Sequence, residues 1–308
     1  MAIFDSVMEK QEQPSIFLSD FSDTCMNSVE FAPGRRPELF YSSQGGYSLL
    51  YRFDREGRFR VLKALKAQYR GNPLYERLLR KEFEIGYELD HPNICKVYSF
   101  CKVEGLGNCI EMEYIDGCTL DDFLRDAQFD HKTVRRVLSS LCDALTYIHN
   151  KQVIHRDLKP QNILVTYNGR NVKLIDFGLS DSDWHSVLKG MAGTREYAAP
   201  ELLENGEIDN RTDIYSLGRL LELCGTAYKG VASKCTQQQP ARRFASAEEV
   251  KRALLRGGNR RFTIALIVLS AIILLALLAW YLFFYDDISD TVDKIFCGVG
   301  QKIIDAQR

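Results

Sequence analysis

The sequence predicts an α+β chain of two lobes, a small β-rich one followed by a larger helical one, with one membrane-spanning helix near the C-terminus. Two observations carry this. Strand-like runs come first, with one amphipathic helix among them, and long helical patterns follow. Near the end, "FTIALIVLSAIILLALLAWYLFFY", residues 262–285, runs without a charge. The 308 residues suffice for one large or two modest cores, and a net charge of −1 gives no sign of a nucleic-acid partner.

In chain order, residues 1–36 are polar and irregular, run into "APGRRPE" (32–38), and read as a flexible lead-in. Residues 38–67 read as strands with a turn at "DREG", residues 54–57. Within them, "SSQGGYSLLYRF" (42–53) sets Gly45 and Gly46 before a β-prone run. Gly-Gly before a strand is ordinary turn chemistry and also the material of a phosphate-holding loop, so this stretch alone leaves both open. "PLYERLLRKEFEIGYEL" (73–89) has helical spacing, with Leu74, Leu78, Phe83, Ile85 and Leu89 apolar, and stops at "DHPN". "CIEMEYI" (109–115) reads as a short buried strand and "TVRRVLSSLCDALTYIHN" (133–150) as a long amphipathic helix. The nine cysteines stand in apolar contexts with no CxxC pair, as reduced thiols of a cytosolic compartment do.

At ~1.5 Å per residue the uncharged run reaches roughly 35 Å, enough to cross a ~30 Å hydrocarbon layer. Trp280, Tyr281 and Tyr285 lie at one end, where interfacial aromatic residues sit. Core helices rarely run this long without a polar face. The N-terminus, "MAIFDSVMEKQEQP", lacks the basic start and apolar run of a secretory signal. Lys251, Arg252, Arg256, Arg260 and Arg261 precede the span; Asp286, Asp287 and Asp290 follow it. Basic flanks stay on the cytoplasmic side, so residues 1–261 are expected there and 286–308 across the membrane. In that tail Ile288, Val292, Ile295, Phe296, Val299 and Ile303 recur at helical spacing. Such a stripe would lie on the outer bilayer surface or pair two chains as a homodimer, with Cys297 either linking them or unpaired.

"VIHRDLKPQNILV" (153–165) places an Asp, a Lys two residues on and an Asn five residues on between apolar segments. "DFG" follows at 176–178 and "GTREYAAPE" at 193–201. Phosphoryl transfer needs a group that orients the hydroxyl nucleophile, ligands for magnesium, and cations on the phosphates. These residues supply that set.

Over residues 37–256 the chain resembles the eukaryotic-type serine/threonine protein kinases. With its single span after the catalytic part, it resembles the bacterial receptor-type kinases. The resemblance implies ATP and Mg2+ (or Mn2+) as cofactors and proteins as substrates, the chain itself included, in trans. It implies Asp157 as catalytic base, Lys159 steadying the γ-phosphate, and Asn162 and Asp176 holding the metal ions. Aligned backwards from Tyr51, the family's Gly-x-Gly-x-x-Gly falls on Ser43, Gly45 and Ser48, with Gly46 as an extra glycine and Leu50 just beyond. The opening glycines thus become a thinned phosphate lid whose backbone approaches the ligand. Lys63 in "RVLKALK" matches the lysine on the α- and β-phosphates, with Lys66 the fallback one turn later, and Glu82 stands as its carboxylate partner. "EMEYIDG" resembles the hinge: Met112 gates the adenine pocket, and the backbone from Glu113 to Ile115 faces the base. Arg156 implies control by a phosphorylated activation segment, whose hydroxyls are Ser180, Ser182, Ser186 and Thr194. Arg243 resembles the arginine that pairs with Glu201, and Asp213 in "DIYSLG" the residue that holds the catalytic loop.

One departure stands out. Between "DIYSLGRLLEL" and "PARRF" only "CGTAYKGVASKCTQQQ" intervenes, room for a single helix, so the family's substrate-docking helix is missing. Besides the membrane-anchored kinase, two other readings stay open. One is a pseudokinase, a membrane-tethered scaffold that binds nucleotide without turnover, favoured by the thinned loop and shortened helical lobe. The other is a kinase of small molecules, opposed by "GTREYAAPE".

Overall fold

The computed structural model describes residues 26–28, 31, 36–42, 46–126, 130–178, 196–204 and 206–306. It forms two compact units, Met1–Arg252 and Ala253–Arg308.

The first unit opens on a six-stranded sheet of β1 (Met26–Ser28), β2 (Glu38–Ser42), β3 (Ser48–Arg55), β4 (Arg58–Leu65), β5 (Val97–Val103) and β6 (Gly107–Glu113), ordered β1-β5-β6-β4-β3-β2. The expected turn at 54–57 is a two-residue hairpin: Glu56 and Gly57 both have positive φ, 55° and 79°. That pair suits the right-handed twist of the strands it joins. The Asp54 carboxylate accepts from Gly57 N at 3.2 Å and fixes the turn.

Helix α1 (Pro73–Tyr87) starts where Asn72 caps it, its side chain accepting from Leu74 N at 3.0 Å, with proline at the first turn. Leu78, Leu79 and Phe83 bury one face against Leu65, Val97, Phe100 and Ile110 of the sheet. At Gly86 the helix comes so close that a Cβ would stand 2.7 Å from Val97 Cγ2. Leu74, read as apolar face, is instead 40% exposed, and Leu79 takes its place in the core.

The helical lobe holds α2 (Leu120–Arg125), α3 (His131–Asn150), α4 (Pro200–Leu203), α5 (Asn210–Leu223) and α6 (Lys229–Cys235). A small sheet of β7 (Gly117–Thr119), β8 (Ile163–Thr166) and β9 (Val172–Leu174) accompanies them. Helix α3 begins two residues before the expected start because Asp130 caps it, accepting from Thr133 N at 2.7 Å. Its stripe Val137, Leu138, Leu141, Cys142, Leu145 and Ile148 is buried. The "DHPN" stop ties the lobes together: Leu174 N donates to Asn93 O at 2.8 Å and Cys95 N to Leu174 O at 2.9 Å. The segment after α5 is short, as expected. It forms one 3-10 turn, Thr226–Tyr228, and α6. Helix α6 packs so tightly on α5 that a Cβ on Gly218 would meet Cys235 Cβ at 2.5 Å.

Two expectations need correction. The lead-in 1–36 is not irregular throughout: β1 pairs in parallel with β5, with Met26 opposite Phe100. Phe31 then meets Phe53 edge-on at 5.4 Å. Three residues carry too little pattern to be seen without the strand that receives them. The expected strand 109–115 ends at Glu113, whose N–H makes the last pairing, to Lys96 O at 2.8 Å.

Helix α7 (Ala247–Ala306) runs as one helix through the apolar stretch and the tail, where helical spacing was expected. Within it Leu266–Phe284 is long and apolar enough to cross a membrane, and every side chain in that stretch is exposed, unlike a core helix. The cysteines among the described residues are free thiols. Burial pushes Cys95 up to about 12, as inert packed thiols require.

Glu201 at the start of α4 is gripped by Arg243 at 2.6 and 2.8 Å, and Thr212 donates to it at 3.0 Å. The same guanidinium donates to the carbonyls of Arg211, Gln237 and Gln238. Burial alone would raise the Glu201 carboxyl, but Arg243 brings it below its ordinary value. Removing one partner strands a buried charge, so Arg243→Ala should cost ~3–5 kcal/mol in denaturant unfolding of the full chain in detergent. A loss under about 1 kcal/mol would mark the pair as no better than a surface ion pair.

Candidate active site

Lys63 sits on β4, an inner strand, paired with Leu50 on β3 and Ile110 on β6. A lysine 4% exposed among Val61, Leu62, Ala64 and Leu65 needs counter-charges. It has two: Nζ donates to Glu82 Oε1 at 2.5 Å and to Asp176 Oδ1 at 3.1 Å. Glu82 reaches it because it lies one turn after Leu78 and one before Gly86, on the buried face of α1. Lys66, by contrast, lies past the end of β4.

Two carboxylates share one ammonium, and their acidities diverge accordingly. Burial works against the charge on Lys63, but Asp176 and Glu82 outweigh it and raise its pKa. Burial would raise Asp176 too; Lys63 overrides this and brings it down to about 2. Glu82 is pushed up to about 7, by burial first and by Asp176, against the pull of Lys63.

The catalytic-loop residues converge next to this cluster. Asp157 Oδ2 accepts from Lys159 Nζ at 2.6 Å and from Asn162 Nδ2 at 2.9 Å. Asn162 Nδ2 also donates to the Asp157 carbonyl at 2.9 Å. The amide nitrogen is therefore engaged on both sides of Asp157. Asp157 Oδ1 is buried without a hydrogen-bond partner among the described residues. Burial, partly offset by Lys159, holds this carboxyl above its ordinary range.

Arg156 and Asp176 both take positive φ, 64° and 66°. Non-glycine residues stay in that region only where their surroundings fix them. Asp213 of α5 does so for the loop: it accepts from His155 N at 2.8 Å and Arg156 N at 2.9 Å. His149, in the last turn of α3, meets the same carboxylate at 2.8 Å. Ile175 N donates to Asn162 O at 3.0 Å, and Gly178 N to Asp176 Oδ1 at 3.2 Å.

At the hinge, Met112 lines a small gap with Cys95, Val97, Ile110 and Phe177, behind Glu82 and Asp176. The Glu113 side chain turns to Lys173 at 2.8 Å and Lys96 N at 3.1 Å, its N–H donates to Lys96 O, and its carbonyl faces the Cys95 thiol at 3.8 Å. Ile115 follows, half-buried, beyond the strand. Of the residues expected to form a phosphate lid, Gly46, Ser48 (opposite Leu65) and Leu50 (opposite Lys63) are among the described residues. Ser43 and Gly45 lie outside the described residues, as do Ser180, Ser182, Ser186 and Thr194.

Sequence reasoning missed His149 and Tyr47. His149 lies at the end of one helix and meets a residue of another, so no spacing reveals it. Tyr47 stood in plain view after the glycines, but its inward turn depends on packing.

A family model, described as protein kinase domain, matches residues 44–253. Aurora kinase B of Danio rerio is 34% identical over 174 residues, 55% of this chain and 54% of that protein. Serine/threonine-protein kinase PknB of Mycobacterium leprae is 33% identical over 169 residues, 52% of this chain and 27% of that one. Serine/threonine-protein kinase PrkC of Bacillus subtilis is 30% identical over 165 residues, 52% of this chain and 25% of that one. The chain thus spans about half the length of the first relative and about a quarter of the bacterial two. In structure, the PknI kinase domain of Mycobacterium tuberculosis superposes with a TM-score of 0.58 at 23% identity, over 75% of this chain and 99% of that one. That likeness concerns the fold.

Asp213 supplies a pH test of the loop's anchor. Burial would raise its carboxyl, but the His149 hydrogen bond and the backbone N–H groups bring it below the ordinary 3.8. A carboxyl depressed in the folded state adds stability that is complete above the unfolded value and fades as pH falls through the folded one. Asp213→Asn, which faces an N–H with an NH2, should therefore unfold at a lower temperature near neutral pH. The gap should narrow on acidification below about 4. A gap that stays constant with pH would contradict the charged anchor.

Proposed function

Because this chain belongs to the protein kinase family, we propose that it transfers the γ-phosphoryl group of ATP to serine or threonine hydroxyls of proteins, its own copies included, at the cytoplasmic face of a membrane. The observation that carries this reading is the split environment of Asp157. One oxygen is held by Lys159 and Asn162, and the other is buried without a partner among the described residues, as a group awaiting a substrate hydroxyl would be.

On this reading the substrate oxygen forms its bond to the γ-phosphorus while the bond to the β,γ-bridging oxygen breaks. The hydroxyl proton passes to Asp157 Oδ1, and ADP leaves. Lys159 spans Asp157 and the moving phosphoryl group. Lys63, fixed by Glu82, orients the α- and β-phosphates. The hinge backbone at Glu113 and Ile115 holds adenine, and Met112 sets the depth of its pocket. The Asn162 amide oxygen and the Asp176 carboxylate are hard oxygen donors that fit Mg2+ or Mn2+. A bound divalent ion would offset phosphate charge there.

The apolar stretch Leu266–Phe284 supports a membrane anchor. The five basic residues before it and three aspartates after it favour a cytoplasmic catalytic unit and an extracytoplasmic tail. The printed names of the bacterial relatives favour serine/threonine specificity. Control by phosphate at Ser180, Ser182, Ser186 or Thr194 is part of the proposal, with Arg156 as its receiver. The scaffold reading keeps one specific support, the single short helix α6 between α5 and Pro240.

The deciding experiment incubates the full chain in detergent with labelled ATP and Mg2+ or Mn2+. Label should enter the protein, require the metal, and vanish in Asp157→Ala and Asp176→Ala. Nucleotide binding by the wild type without incorporation at any protein concentration would favour the scaffold. Topology has its own test. Protease outside intact cells or spheroplasts should clip a tag after Arg308 and spare the catalytic unit; a protected tag with a digested N-terminus would reverse the orientation.

A further inference from the structure

Tyr47 follows the paired glycines, where a loop side chain would ordinarily face solvent or ligand. Here it is 9% exposed. It belongs to the buried cluster that also holds Leu65 of β4, Leu78 and Phe83 of α1 and Ile110 of β6. The Tyr75 ring, also on α1, lies 5.7 Å away. The main chain is fixed as well, since the Tyr47 carbonyl accepts from Lys66 N at 2.8 Å.

The hydroxyl end reaches the charged cluster. Around the point where a Cβ on Gly178 would stand, Tyr47 Oη lies at 2.9 Å, Asp176 Oδ1 at 3.1 Å and Glu82 Oε2 at 3.4 Å. Only a glycine at 178 leaves room for the phenol. Burial first, then Glu82, raises the phenol pKa well above its ordinary 10.0, so the hydroxyl stays protonated and is compatible with two carboxylates. One side chain therefore touches the loop, the helix that carries Glu82, and the surroundings of the Lys63–Glu82–Asp176 cluster.

We propose that Tyr47 is a positioning residue: its ring, turned inward, packs against α1 and holds Glu82 where it meets Lys63. Tyr47 acts on the reaction through Glu82 and Lys63. Its kinetic consequence rests on the phosphoryl-transfer reading; its structural consequence does not.

The test uses the nucleotide-free full chain in detergent, with Tyr47→Ala and Tyr47→Phe beside wild type. Hydrogen exchange is read over residues 78–86 of α1, against α3 and α5 as internal references. Tyr47→Ala should speed exchange in α1 and leave α3 and α5 unchanged. It should also lower kcat roughly tenfold or more, as misplaced groups do, while KM for ATP moves less because the hinge contacts persist. Tyr47→Phe, which keeps the ring, should recover most of both. Should Tyr47→Ala fail to fold, Tyr47→Leu, too short to reach both Tyr75 and Gly178, should show the same pattern. Unchanged α1 exchange in the shortened variant, or a phenylalanine as damaging as the short side chain, would overturn the proposal. So would slower folding or lower stability with intact kcat and α1 exchange, which marks a filler of the core. If the wild type transfers no phosphate, the functional reading fails by itself, and the exchange measurement still decides the role of Tyr47.

Discussion

Much of the first unit is arranged so that one buried ammonium can serve two carboxylates. Lys63 has left water on an inner strand, which is tolerable only while Glu82 and Asp176 stand beside it. That requirement fixes α1 against the sheet, since Glu82 comes with Leu78, Leu79 and Phe83 on one face. It also fixes the turn that carries Asp176, whose left-handed backbone is held by its neighbours. The sheet, the helix and the 176–178 turn are three separate stretches of sequence, and the cluster is where they must agree. Because the cluster has more negative charge than positive, its acidities split, with Asp176 low and Glu82 high. A cation or a phosphate-bound metal ion arriving there would meet charge that the protein alone has not balanced.

A second anchor works on the opposite side. Asp213 rises from α5, the most deeply buried helix of its lobe, and holds the backbone of His155 and Arg156 from beneath. The loop above it can then keep Asp157, Lys159 and Asn162 in one hydrogen-bonded set while Arg156 holds an otherwise unfavourable φ. The Glu201–Arg243 pair does comparable work where α4 begins. In each case a buried charge on a regular element fixes a segment that has no ladder of its own.

How much of this was legible in the sequence depends on what each signal was made of. The grouping of Asp157, Lys159 and Asn162 was legible because "HRDLKPQN" keeps them close along the chain, and its resemblance to a known family placed "DFG" beside it. The hairpin at Glu56–Gly57, α1 and α3 were legible because turn chemistry, caps and apolar spacing are local. The burial of Lys63 beside Glu82 shows only in the packing. What stayed hidden was whatever a distant partner creates. Strand β1 exists because β5 offers an edge, His149 matters because α5 brings Asp213 to it, and Tyr47 turns inward because Gly178 leaves a space.

The central claim is that Lys63 and Glu82 act as one unit. The most direct measurement is the turnover of phosphoryl transfer by the full chain carrying Lys63→Met, Glu82→Gln, or both. If the pair is a unit, the double variant is no slower than the slower single one, because either change already removes the whole interaction. Losses that multiply in the double variant would show two independent contributions and contradict the account.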